Sequence, residues 1–265
     1  MRGLAPRLRG RRVESVWWSG QRLHLRRKLD LAGLRAVAVG HAITGVRRVG
    51  KFILIGVGGE RDSGVVIHLG MTGRLRVEPS AAPRAPHTHV VFRLAGGDEL
   101  RFADARRFGW VEPGRPFAAS AALARLGPDP LTALDAPQLA AALAGVRAPI
   151  KAFLMDQRRI AGLGNIYVAE ALFRAGIHPA VPAGRTRKRA GALLDGIRAA
   201  LAGGIARRGT TLRDYVDADG RSGDNAQALL VYGRAGETCS RCSARIKRRV
   251  DSGRATFFCP GCQRR

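Results

Sequence analysis

The chain has 265 residues, 46% of them hydrophobic, enough for two domains with real cores and too apolar for a disordered polypeptide. Its 46 Lys and Arg against 20 Asp and Glu give a formal charge of +26, which repels itself unless a polyanion is the usual partner, and nucleic acid is the first expectation. No stretch reaches the apolar length that spans a bilayer, no basic helix carries a Leu/Trp membrane-surface face, and the start MRGLAPRLRGRR lacks the apolar run of a signal peptide.

Residues 2 to 9 read as a short helix end limited by Pro6 and Gly10. From Arg12 to about Val111 the pattern is β-like. VESVWW, KFILIGV, GVVIHLG, HVVFRL and ELRFAD are short apolar or alternating runs between Gly, Asp and Pro, which predicts a sandwich or barrel. SAAPRAPHT (80 to 88) is a Pro/Ala-rich loop, and GPDPL (127 to 131) is a linker whose prolines and glycine exclude regular structure. Beyond it, APQLAAALAGV and AGALLDGIRAALAGGIARRG carry apolar residues at the three-and-four spacing of helices. Between these two, a helix through Met155 breaks at Gly162-Leu163-Gly164-Asn165. A second helix runs from about Ile166 to Phe173 and stops at Gly176 and Pro179.

The C-terminal stretch holds two Cys-x-x-Cys knuckles, Cys239/Cys242 and Cys259/Cys262, with 16 residues between them. Four thiolates at this spacing complete a tetrahedral shell around one Zn²⁺ with no open position, so the site is structural. All four cysteines belong to it and none is left for a disulfide, which fits a reducing, cytoplasmic setting. The linking segment reads as a β-hairpin: RIKRRV, a turn at 251 to 253, then RATFF. Arg245, Lys247, Arg248, Arg249 and Arg254 stand there against Asp251 alone, a device for touching phosphates. The alternative is a ribbon that only secures the C-terminus.

Taken in order, GKFILI with Lys51, HLGMTG (68 to 73), DARRFG (104 to 109), GPDPL, MDQRRIAGLGNIYVAEALFRAGIHP, GTTLRDYVDADG (209 to 220), VYGRAGETC (231 to 239) and the zinc hairpin cover nearly the whole chain. In this it resembles the formamidopyrimidine-DNA glycosylase family, MutM-like enzymes that excise oxidised purines. The resemblance implies an α+β multidomain fold: an N-terminal β-sandwich (1–125), a linker (126–135), a helix–two-turn–helix domain (136–230) and a C-terminal zinc-finger hairpin (231–265), with DNA in the cleft between domains. It further implies a bifunctional glycosylase and AP lyase, working as a monomer on double-stranded DNA that holds 8-oxoguanine, a formamidopyrimidine or an abasic site. A basic zinc-ribbon RNA-binding protein would explain the charge and the zinc, but not HLGMTG, RRFG and GLGN in this order.

Roles follow residue by residue from the resemblance. Everting a base leaves a hole, and Met71 is implied to fill it, with Arg106 and Phe108 addressing the opposite strand and the orphaned base. The alternative makes Met71 and Phe108 core residues at strand ends, against which their Gly-flanked loops argue. Lys51 is implied to contact the lesion-site phosphate and assist proton transfer, or else is a solvated lysine. In the GLGN turn Asn165 adds an amide to a phosphate-binding helix start, or caps the helix, or both. Arg254 matches the finger-tip arginine implicated in the last elimination step. His87, Arg147 and Lys151 match positions lining the DNA groove, and His68 is a packed strand histidine. Residues 209 to 220 correspond to a loop that closes over an everted purine.

The family begins Pro-Glu-Leu-Pro-Glu, the proline amine attacking C1′ and the glutamate donating a proton. This chain begins Met1-Arg2-Gly3-Leu4-Ala5-Pro6 and enters the pattern about ten residues late by its spacing. Pro6 is no substitute, since its nitrogen lies in a peptide bond. Two explanations stand: a start placed downstream of the true one, which the retention of the other site residues favours, or a paralogue that binds damaged DNA without cutting it.

Overall fold

The computed structural model describes residues 3–24, 28–58, 62–211 and 220–265. The chain divides into two units, Met1–Ala124 with Thr211–Gly223, and Arg125–Thr210 with Asp224–Arg265.

The first unit holds eight strands among its described residues: β1 (Val13–Trp18), β2 (Ile43–Val49), β3 (Phe52–Val57), β4 (Gly64–His68), β5 (Arg74–Pro79), β6 (Thr88–Leu94), β7 (Asp98–Ala103) and β8 (Trp110–Gly114). They form two four-stranded antiparallel sheets, ordered β1-β6-β7-β5 and β2-β3-β4-β8. One apolar core lies between the sheets, with Val16, Val77, Val90, Phe92, Leu100 and Phe102 from the first facing Ile43, Ile53, Ile55, Val65, Ile67 and Val111 from the second. Turning alternate residues of each strand into one shared core in this way is the sandwich expected from the sequence. The five strands read from the sequence are β1, β3, β4, β6 and β7. The three it missed, β2, β5 and β8, are all sheet edges, where one side faces solvent and apolar content is low. A correction is also needed to the all-β reading of Arg12 to Val111. Helix α2 (Leu31–Ala38) interrupts it, following a single-turn α1 (Ala5–Leu8). Asp30 caps α2 by accepting the Gly33 N–H at 2.8 Å, and Leu34, Val37 and Ala38 turn into the core.

The second unit contains α3 (Ala136–Leu143), α4 (Ile150–Met155), α5 (Asn165–Arg174) and α6 (Ala190–Ala206). A capping box opens α3: Asp135 accepts from Gln138 N at 2.7 Å, and the Gln138 side chain accepts from Asp135 N at 2.9 Å. Between α4 and α5 the Gln157 side chain closes the turn, donating to the carbonyls of Met155 and Leu163 and accepting from Gly162 N at 2.9 Å. The end of α5 at Gly176 is as expected, since its φ of 63° lets Gly176 N and Ile177 N reach back to the carbonyls of Phe173 and Leu172. Leu139, Leu154, Leu163, Val168, Leu172, Leu193 and Ile197 make the helical core. The hairpin β9 (Lys247–Asp251) and β10 (Arg254–Phe258) turns through Ser252 and Gly253, both at positive φ, as a two-residue connection requires. It packs on α5: Ala169 and Phe173 share an apolar cluster with Val231, Ile246, Phe257, Cys239 and Cys259. The buried Glu170 carboxylate accepts the N–H groups of Leu230, Val231 and Tyr232 at 2.9 to 3.1 Å, fixing the approach to the finger. No helix among the described residues is long and apolar enough to cross a membrane.

The first unit also contains a histidine poised against acid. His68 ends β4, stacks on Trp110 at 4.4 Å between ring centroids, and accepts the Gly70 N–H at 3.0 Å. Burial, then the charges of Lys51 and His24, lower its pKa from 6.5 to about 4. A histidine depressed in the folded state favours folding while it stays neutral. As pH falls through 6.5 the unfolded chain takes up a proton that the folded chain refuses, and stability drops until about pH 4. Urea unfolding followed by tryptophan fluorescence should show a loss of up to about 3 kcal/mol across that window. His68→Gln should flatten the profile, and an unchanged profile in that variant would show that other groups carry the acid lability.

Candidate nucleic-acid interface and metal centre

Two turns of the first unit are held together by one carboxylate. Asp104, 1% exposed, sits where β7 leaves the sheet. Its Oδ1 accepts the Thr72 hydroxyl and, at 3.3 Å, the Arg106 N–H, while its Oδ2 accepts the Gly109 N–H at 2.8 Å. The turn 69–73 is thereby bound to the turn 104–109. The backbones approach so closely that a Cβ on Gly70, whose φ is 61°, would lie 2.6 Å from Gly109 N, so only glycine fits.

What this pins is exposed. Met71 is 67% exposed and Phe108 36%, so neither belongs to the core, and the Arg106 guanidinium lies over the Phe108 ring at 4.7 Å. His87 joins the same constellation, being exposed, at φ 63°, with its carbonyl accepting the Asp104 N–H at 3.0 Å. A groove of about 460 Å³ runs beside these turns, lined among others by Thr72, Arg74, Arg76, His87 and Arg106. Arg101, at its floor, is a structural cation. It is 3% exposed, pairs with Glu99 and Glu78, and holds the carbonyl of Pro79 at the end of β5 and those of Ala82 and Pro83 in the 80–88 loop. Lys51 is exposed in the tight β2–β3 turn, close enough to His68 to lower its pKa. The structure therefore gathers Met71, His87, Arg106 and Phe108 around Asp104, with Lys51 at the neighbouring strand end beside His68.

In the second unit Lys151, Asn165 and Arg254 converge on the hairpin. Gly164 takes the N-cap position of α5, so Asn165 is the first helical residue and not its cap. Its amide donates instead to the Ala255 carbonyl at 2.9 Å. Lys151, 5% exposed on α4, donates to the same carbonyl at 3.1 Å and to the Thr256 hydroxyl. Burial, with Arg254 and Arg249 nearby, lowers the Lys151 pKa in spite of Asp251. Arg254, one residue from that carbonyl, is exposed at the hairpin tip, and Arg147 is exposed in the α3–α4 connection. Of the segment 209–220, residues 212–219 lie outside the described residues.

The four thiols fit a tetrahedral metal. Their Sγ atoms lie within 4.8 Å of one another, with closest pairs at 3.5 to 3.8 Å. A shell with Zn–S near 2.3 Å has S···S edges of about 3.8 Å. Burial and neighbouring thiols push Cys262 up to about 12. At Cys239 burial is outweighed by hydrogen bonds from the Arg241 and Cys242 backbone and from the thiols of Cys259 and Cys262, which bring it down to about 7. A quartet that resists full ionisation by itself needs a divalent cation to gather its charge. The four cysteines form the ligand set of one structural zinc. Gln263 secures the second knuckle, accepting from Cys259 N at 2.8 Å and donating to the Ile177 carbonyl at 2.9 Å.

Sequence reading did not single out Asp104, Thr256 or Glu170, and it placed Asp251 in the hairpin turn without its partners. For Asp104 a signal was available, since an aspartate opening a Gly-terminated turn is the residue type that accepts backbone N–H groups a few positions on.

Residues 1–111 match the formamidopyrimidine-DNA glycosylase N-terminal domain, 126–216 the H2TH domain of the same enzymes, and 236–265 the zinc finger found in FPG and IleRS. The chain is 46% identical over 278 residues to the formamidopyrimidine-DNA glycosylase of Alkalilimnicola ehrlichii, covering 99% of this chain and 96% of that one. It is 47% identical over 270 residues to that of Rhizorhabdus wittichii, covering 100% and 96%. Among solved structures it is similar to Lactococcus lactis Fpg in complex with DNA containing an abasic site (TM-score 0.88) and with DNA containing N7-benzyl-Fapy-dG (TM-score 0.89). Each is 32% identical and covers 100% of this chain and 96% of that one. The chain belongs to the formamidopyrimidine-DNA glycosylase family.

Proposed function

We propose that this protein excises oxidised purines from double-stranded DNA and cleaves the strand at the resulting abasic site. The observation that carries this reading is the pair of turns on Asp104. A flexible apolar side chain and an Arg–Phe stack stand exposed on backbone that cannot yield. Eversion of a base costs a few kcal/mol of stacking and pairing, and a rigidly presented wedge offsets part of it. Met71 enters the vacated space, and Phe108 and Arg106 address the orphaned base and the opposite strand. Lys51, Asn165 and Arg254 hold phosphates around the lesion. Lys51 also assists proton transfer, and Arg254 serves the last elimination. His87 and Arg147 line the path of the DNA, whereas Lys151, expected beside them, is buried and acts behind the hairpin through the Ala255 carbonyl and the Thr256 hydroxyl. The functional parts are 1–125, the linker 126–135, 136–230 and the finger 231–265, in a monomer working in the cytoplasm.

The lyase step needs an uncharged amine that attacks C1′ as the base departs with a proton from a neighbouring acid. Lys51 beside a phosphate is protonated and a poor nucleophile. We therefore assign the amine and the acid to a Pro-Glu lead of the family's kind, joined before Arg2 for the test. The 265-residue chain made as written should bind abasic-analogue DNA without forming a covalent adduct to an authentic abasic site under borohydride. Addition of the lead should restore trapping and strand cleavage. Efficient trapping without it would assign the amine elsewhere; failure to trap with it would favour a paralogue that binds damage without cutting.

Affinity should fall steeply with salt. Arg254→Ala should flatten the slope of log K against log salt by roughly one unit, while Phe108→Ala weakens lesion discrimination and leaves the slope alone. Equal slopes in the two variants would show that contacts have been wrongly sorted into phosphate and base. Removal of the metal should affect the finger and spare the sandwich. Cys259→Ser is expected to lose zinc and most DNA affinity while the sandwich still unfolds cooperatively, and full affinity in that zinc-free protein would remove the finger from the interface.

A further inference from the structure

The hairpin tip is fixed by a buried chain of charge and hydroxyl that neither the zinc nor the strand ladder accounts for. Thr256 is 1% exposed. Its hydroxyl accepts from Lys151 Nζ at 2.5 Å and donates to Asp251 Oδ2 at 2.6 Å. The other oxygen of Asp251 accepts from Arg249 Nε at 2.7 Å. Arg249 and Thr256 are cross-strand partners, and Asp251 is paired with Arg254 at the turn. A hydroxyl is the one small side chain that can take a proton donor on one side and give its own on the other. Through it the cation of α4 is tied to the carboxylate that closes the turn. The same Lys151 Nζ, with the Asn165 amide, holds the Ala255 carbonyl, so the residue immediately after Arg254 is clamped from two helices. Lys151 feels Asp251, Arg254 and Arg249 together, so three cations stand around one anion. That excess favours a phosphate arriving at Arg254, while the carboxylate keeps the cations from driving one another apart.

We propose that Thr256 and Asp251 are positioning residues that set Arg254 for its phosphate contact, acting through the Lys151–Thr256–Asp251 chain. The inference rests on the reading of Arg254 as a phosphate ligand. The test is a double-mutant cycle on the zinc-loaded full chain, measuring affinity for a duplex with a tetrahydrofuran abasic analogue at several salt concentrations. Thr256→Val keeps shape and loses the hydroxyl. It should weaken binding on the order of tenfold and lower the salt slope by roughly one unit, as Arg254→Ala does. Thr256→Ser should restore both. Introduced into Arg254→Ala, Thr256→Val should cost nothing more. Zinc stoichiometry checks that the finger is intact, and Asp251→Asn, which spares the hydroxyl, gives the same readout should Thr256→Val not fold. A full loss from Thr256→Val in the Arg254→Ala background, or wild-type affinity and slope in Thr256→Val or Asp251→Asn, would overturn the positioning role alone. Wild-type binding by Arg254→Ala would overturn the phosphate reading of Arg254 and the positioning role with it.

Discussion

Buried carboxylates that accept backbone N–H groups are the interaction on which the architecture leans. In a chain with more than twice as many basic as acidic residues, several acids lie inside. Asp104 joins two turns and Glu170 gathers three successive N–H groups ahead of the finger, while at the surface the exposed Asp30 and Asp135 start helices by the same kind of bond. Glu99 lies buried between Arg101 and Arg84, whose hydrogen bonds outweigh the cost of burial and hold its carboxyl below the usual range. An acid bonded to main-chain donors fixes geometry without neutralising a surface cation. The arrangement therefore leaves a strongly positive exterior and makes it rigid where it matters.

That division explains what could be read from the sequence. Central strands such as β3 and β6 have both faces covered and announce themselves as apolar runs. β5, with Arg74, Arg76 and Glu78 alternating with Leu75 and Val77, is an equally regular strand whose solvent side hides it. The helix α2 was lost among β-like runs because its signal is an eight-residue stripe after one capping aspartate. The Gly-Leu-Gly-Asn break, the Gly176 stop and the hairpin turn were legible because each depends on local backbone requirements that few residue types meet.

Site residues divide the same way. The thiols declare themselves by spacing, and Met71, Arg106 and Phe108 by their place in Gly-flanked turns, whereas their supports do not. Asp104 works on Thr72, 32 positions away, and Lys151 on Thr256, 105 positions away. Nothing local in Thr256 distinguishes a strand threonine packed for its methyl from one whose hydroxyl carries a relay. Groups that face DNA follow from chemistry written along the chain, and the groups that aim them follow from tertiary partnership.

The finger shows why aiming needs a second anchor. Zinc fixes Cys259 at the end of β10, and Arg254 lies five residues away along the strand. At about 3.3 Å per residue that is a lever of roughly 17 Å. A hairpin of two five-residue strands is too small to be stiff over such a length. Small angular freedom at the knuckles would move a guanidinium by more than a hydrogen bond tolerates. The clamp on the Ala255 carbonyl shortens the free lever to one residue, and the Thr256–Asp251 link ties the turn itself to α4. The metal secures the fold of the finger, and the buried lysine and hydroxyl give its tip a direction.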